Sequence, residues 1–140
     1  MKIKVLLVDD HIVFLKGLAL YLSAQEELEV VGKENGGSEA LVKVEEVKPD
    51  IVLMDLSMPE MDGIEATACI KNKYPNVKVL VLTRFFDRAH VLSALKAGAS
   101  GYILKDVEPD QLVGAIRSAY KGNIQLHPDI VNMLLSQTLL

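Results

Sequence analysis

Five polar residues stand directly at the ends of short apolar runs. VLLV runs into Asp9 and Asp10, IVLM into Asp55, VLVL into Thr83, and GYIL into Lys105. Three carboxylates brought to one place repel one another unless something neutralises them. A hard divalent cation with oxygen ligands does this. Mg²⁺ keeps several of its waters, so two or three carboxylates suffice to hold it, and phosphate oxygens still find room. Asp55 then suits the part of a nucleophile toward phosphorus, because carboxylates form acyl phosphates. Lys105 suits balancing the charge of a transferred phosphoryl group, and Thr83 suits donating its hydroxyl to one of that group's oxygens.

Taken singly, each residue has an ordinary explanation. Asp10 could cap a following helix. Asp55 could open an Asx-turn before Pro59. Thr83 could be a β-former or a cap, and Lys105 a solvated side chain. Taken together, the order acidic pair, Asp, Thr and Lys at the ends of separate strands is not accounted for by these explanations.

The elements that must position these residues alternate along the chain. KVLLV, LEVVGKE, DIVLMD, VKVLVLT and SGYILK read as five strands. Between and after them lie helical patterns. The first carries Phe14, Leu18, Tyr21 and Leu22 at helical spacing, and the second places Ala40, Leu41, Val44 and Val47 on one face before Lys48-Pro49 stops it. Asp62, with Glu65 three residues on, predicts a capped start for the third helix. Gly98 ends the fourth. Pro109 suits the first position of the fifth, and Gly122 the residue just past its end. The strands are continuously apolar, so helices cover both faces of a parallel sheet. Ligands bind beyond the C-terminal ends of such strands, where all five polar residues lie. Pro59 reads as a rigid turn, and Gly63 as a place where the backbone passes without a side chain. Gly36-Gly37 lacks the spacing of a phosphate-binding loop. The tail, NIQLHPDIVNMLLSQTLL, predicts a short helix over Asp129 to Leu135 and no further strand. Its apolar residues, with Tyr120, form either a dimer surface or a face packed on the domain itself or on a linker.

Composition narrows the function. The chain has 140 residues, half of them hydrophobic, enough for a core in one domain. Its net charge is −4, a poor footprint for direct DNA binding. Cys69 is the single cysteine, which fits a reducing compartment and a cytoplasmic location. Val5–Val8 is too short for a signal peptide, and no apolar run approaches the ~20 residues that span a bilayer.

VLLVDDH, IVLMDLSMPEMDG, VLVLT and GYILKD resemble the receiver domain of bacterial two-component response regulators, over roughly residues 3 to 121. The resemblance implies a doubly wound, flavodoxin-like α/β fold, a five-stranded parallel sheet of order 2-1-3-4-5 flanked by five helices. It implies Asp55 as phosphoacceptor, with Thr83 and Lys105 as its partner hydroxyl and lysine. It implies Mg²⁺ on Asp9, Asp10, Asp55 and the backbone carbonyl of Ser57, and Tyr102 as an aromatic switch that rotates from outward to inward. It implies phosphorylation by a sensor histidine kinase, a domain that catalyses only its own phosphorylation and dephosphorylation, and a phosphorylation-dependent homodimer.

Asp10-His11, GYILKD and NIQLHPDIV resemble the subfamily whose output is a four-helix helix-turn-helix DNA-binding domain. Residues 1–121 are then the receiver and 122–140 an extension or the start of a linker. The expectation is a receiver belonging to a longer transcription regulator, which meets DNA only through that output domain; the alternative is a stand-alone receiver acting through protein contacts. One position departs from the family pattern. After Thr83 a small residue is usual, and here Arg84 is followed by Phe85 and Phe86. The arginine either narrows access, contacts phosphate or a partner, or lies in solvent. Two further rivals remain. An aspartyl phosphatase needs an acidic residue two positions past the nucleophile, where Ser57 stands. An unphosphorylated interaction module would not need all five key positions.

Overall fold

Uninterrupted apolar runs form the inner strands, because those strands are buried on both faces. The computed structural model describes residues 1–58, 61–84 and 86–138, with side chains through 136. Pro59 and Phe85 lie outside the described residues. The strands are β1 (Ile3–Val8), β2 (Leu28–Glu34), β3 (Ile51–Met54), β4 (Lys78–Thr83), β5 (Gly101–Leu104) and β6 (Gln125–Leu126). The helices are α1 (Ile12–Ser23), α2 (Gly37–Val47), α3 (Gly63–Lys73), α4 (Arg88–Lys96), α5 (Pro109–Tyr120) and α6 (Pro128–Thr138). The sheet order is β2-β1-β3-β4-β5-β6, every pair parallel.

Successive strand side chains point to opposite faces. Val5, Leu7, Leu53, Leu80 and Leu82 therefore meet α1 and α5 through Leu15, Leu22, Leu112 and Ile116. Leu6, Val8, Val52, Met54 and Val79 meet α2 and α3 through Ala40, Val44, Ala66 and Ile70. Val81, Tyr102 and Leu104 meet α4 and α6 through Val91, Ala94 and Ile130.

Local chemistry sets the helix ends. The Asp62 carboxylate accepts from the Glu65 amide at 2.8 Å, and Asp87 does the same for His90 at the start of α4. Two hydrogen bonds from His90 hold the Asp87 carboxyl below the usual carboxylate range. Gly98 and Gly122 both adopt positive φ just past their helices. A Cβ on Gly63 would strike the Asp55 carbonyl and the Leu56 Cα, so only glycine lets α3 start this close to the end of β3.

Three expectations are corrected. A sixth strand follows α5: two residues leave no hydropathy signature, and β6 forms because Gly101, opposite Gln125, has no side chain to block it. The flanking helices number six among the described residues, and α6 runs past Asp129 to Leu135 at both ends. In α1 the buried face is Leu15, Ala19 and Leu22, with Phe14 and Leu18 at its margin and Tyr21 exposed. In the tail, Ile130 is fully buried and Leu126, Met133 and Leu134 pack beside it, while Tyr120 and Ile124 stay exposed. No helix among the described residues is long and apolar enough to cross a membrane.

Candidate functional site

Parallel register carries the strand ends to one edge. Val8 pairs with Met54, and Thr83 with Leu104, so the residues that follow emerge side by side. Backbone bonds extend the ladder past the strands: the Asp55 amide donates to the Val8 carbonyl at 3.0 Å and the Lys105 amide to the Thr83 carbonyl at 2.9 Å. The result is a cleft of about 470 Å³ lined by Asp10, His11, Asp55, Ser57, Thr83, Arg84 and Lys105.

Asp9, Asp55 and Thr83 are buried, and Asp10 is exposed. Lys105 Nζ lies 2.6 Å from Asp9 Oδ2 and 3.6 Å from Asp55 Oδ2, and 4.5 Å from the centre of the Phe14 ring. The Thr83 hydroxyl lies beside the Asp55 carboxylate, near enough to favour its charged form. The Ser57 amide points to Asp55 Oδ1 at the long distance of 3.5 Å. Burial raises the Asp55 pKa above its ordinary value, and the charge of Asp9 raises it further; Lys105, Thr83 and the Ser57 amide pull it back.

These contacts remove two of the ordinary readings, those of Asp10 and Lys105. The N-cap position of α1 is His11, without a side-chain cap, so Asp10 does not cap that helix. Asp9 is the residue that makes a local turn, accepting from the His11 amide at 2.8 Å. The Lys105 side chain is only 9% exposed, which rules out a solvated lysine.

One carboxylate oxygen from each of Asp9, Asp10 and Asp55 lies within 4.8 Å of the others. Three carboxylates facing one lysine leave an excess of negative charge, and the donors are hard oxygens. Both properties fit Mg²⁺.

Tyr102 lies apart from the cleft. Its ring is fully buried against Val81, Val91, Ala94 and Ile130. Burial pushes its hydroxyl well above the ordinary tyrosine range, helped by the charges of Asp87 and Asp55. Two cleft features were not legible as site residues. His11 Nδ1 sits 2.9 Å from Arg84 Nη2, and Phe14 lies beneath both His11 and Lys105. The available signal was spacing: Phe14 falls one helical turn after His11.

The family description "response regulator receiver domain" matches residues 5–117. Among curated proteins, the chain is 44% identical over 131 residues to the response regulator protein VraR of Staphylococcus epidermidis, covering 94% of this chain and 63% of that protein. It is 46% identical over 133 residues to the uncharacterized transcriptional regulatory protein YhcZ of Bacillus subtilis, covering 95% and 62%. The chain thus spans just under two thirds of the length of these relatives. Among solved structures, a LuxR-family two-component response regulator from Aurantimonas sp. superposes with a TM-score of 0.94 at 33% identity, covering all of both chains. With the fold, the strand-end cluster and these similarities in hand, the chain belongs to the response regulator receiver domain family, a regulatory rather than a conventionally enzymatic family.

Proposed function

We propose that this chain accepts a phosphoryl group on Asp55 from a sensor histidine kinase and passes the change to a DNA-binding output domain. The observation that carries this reading is one cleft holding Asp55, the Thr83 hydroxyl, and a buried lysine between Asp55 and a second carboxylate.

The residues divide the work. Asp55 attacks phosphorus in line with the leaving oxygen, forming an acyl phosphate. Lys105 Nζ, within reach of both Asp9 and Asp55, takes up charge on the phosphoryl oxygens. Thr83 donates its hydroxyl to a phosphoryl oxygen, drawing the end of β4 inward. Asp9, Asp10, Asp55 and the Ser57 carbonyl would hold Mg²⁺, which when bound neutralises charge during phosphoryl transfer.

Tyr102 is the proposed switch. Its inward position is packed under Ile130, so movement of the β4 end is felt by β5 and α6 together. Residues 1–121 form the phosphoacceptor unit, and 122–140 are an extension that leads toward the output domain, held to the unit through Leu126, Ile130, Met133 and Leu134. That a relative is named a transcriptional regulatory protein supports this arrangement. A cytoplasmic location and a phosphorylation-dependent homodimer complete the reading.

Labelling with radioactive acetyl phosphate and Mg²⁺ tests it. The wild type takes label and Asp55→Asn does not; equal labelling of both refutes the assignment.

A further inference from the structure

Arg84 sits immediately after Thr83, at the mouth of the cleft. Its guanidinium has no acceptor capacity, so in the 2.9 Å contact it donates to His11 Nδ1. The imidazole receiving this bond lies nearly parallel to the Phe14 ring, at 16° with centroids 6.3 Å apart. Phe14 in turn lies against Lys105 Nζ. A stacked column therefore runs from the base of the cleft to its rim and fixes where the guanidinium points.

The charge of Arg84 is not used by this arrangement. Among the described residues no carboxylate lies within 4.0 Å of it, unlike Lys105, which is paired with Asp9. An exposed guanidinium, braced by a neutral acceptor beside a nucleophilic carboxylate, is a preformed contact for a phosphate dianion. Its planar fork matches two phosphoryl oxygens.

We infer that Arg84 is a specificity-determining residue for the incoming phosphodonor, binding its phosphoryl oxygens at the rim of the cleft, and that His11 is the positioning residue that aims it. The inference rests on Asp55 being the phosphoacceptor and names how the donor is held before transfer. With acetyl phosphate, an Asp55 oxygen forms a new bond to phosphorus as the bond from phosphorus to the acetate oxygen breaks. Acetate leaves with that electron pair, and no proton moves.

The experiment measures the initial rate of Asp55 labelling against acetyl phosphate concentration at fixed Mg²⁺. Arg84→Ala should raise KM about tenfold, the loss of a charge-assisted contact, with the saturating rate within about twofold of wild type. Arg84→Lys, which keeps the charge, should recover most of that loss. His11→Phe, which keeps the stacked ring and removes the acceptor, should raise KM by a smaller factor of about three. An unchanged KM in Arg84→Ala overturns the inference. So does faster labelling at low donor concentration, which would make the arginine a barrier. Either result leaves the acceptor assignment standing, because that assignment fails only if Asp55→Asn labels like the wild type.

Discussion

Lys105 Nζ is 2.6 Å from Asp9 and 3.6 Å from Asp55, so the lysine beside the proposed acceptor is anchored on its neighbour. Both side chains of the Lys105–Asp9 pair are under 10% exposed. Removing one partner from a buried pair leaves the other charged and uncompensated. Lys105→Ala should destabilise the fold by about 3–5 kcal/mol at neutral pH. Asp9→Asn should relieve part of that cost, so the double variant is less destabilised than the sum of the singles. Urea denaturation of the four proteins measures the coupling, and strict additivity would show that the pair is not energetically joined.

Asp55 makes stability depend on pH. Its folded pKa is raised, first by burial and then by Asp9, above the ordinary 3.8. The folded state holds that proton more tightly than the unfolded chain, so stability falls as pH rises from 3.8 through the higher folded value. Without divalent cations, Asp55→Asn should melt higher than the wild type above that window, by an amount on the order of 1 kcal/mol. The advantage should vanish below 3.8, where both side chains are neutral. Thermal melts from acidic to neutral pH give the answer, and a gain that persists in acid would assign the effect to something other than charge.

Asp10 separates metal binding from folding. It is exposed and caps no helix, so Asp10→Asn should leave stability in a chelating buffer within about 0.5 kcal/mol of wild type. Mg²⁺ at a hundredfold excess over its Kd should stabilise the wild type by about 2.7 kcal/mol and the variant by much less. Melting with and without chelator distinguishes the two proteins, and an equal Mg²⁺ response would remove Asp10 from the binding set.

Ile130 is the anchor of α6, fully buried against Val81, Val91 and Tyr102. Ile130→Ala should cost about 2–4 kcal/mol, whereas Val131→Ala, on the partly exposed side, should cost under about 1 kcal/mol. Equal effects in denaturant titrations would show that α6 does not depend on that anchor.

Much of this was legible before any coordinates. Period and composition placed five strands, and Asp62, Pro109, Gly98 and Gly122 marked helix ends because capping and positive φ are local requirements. The strand-end residues Asp9, Asp10, Asp55, Thr83 and Lys105 were legible as a set because each follows an apolar run, and a parallel sheet brings those ends to one edge. The rest depended on contacts between residues far apart in sequence. β6 exists because Gly101 admits the backbone of Gln125, a packing fact with no local signal in QL. Lys105 rests on Asp9, and Arg84 on His11, 73 positions away, because side-chain reach across the closed edge selects partners that spacing cannot. The sequence by itself determined which chemical groups reach the edge; the tertiary structure decided which of their charges are paired with a carboxylate and which rests on a neutral neighbour, because pairing depends on side-chain reach across the closed edge.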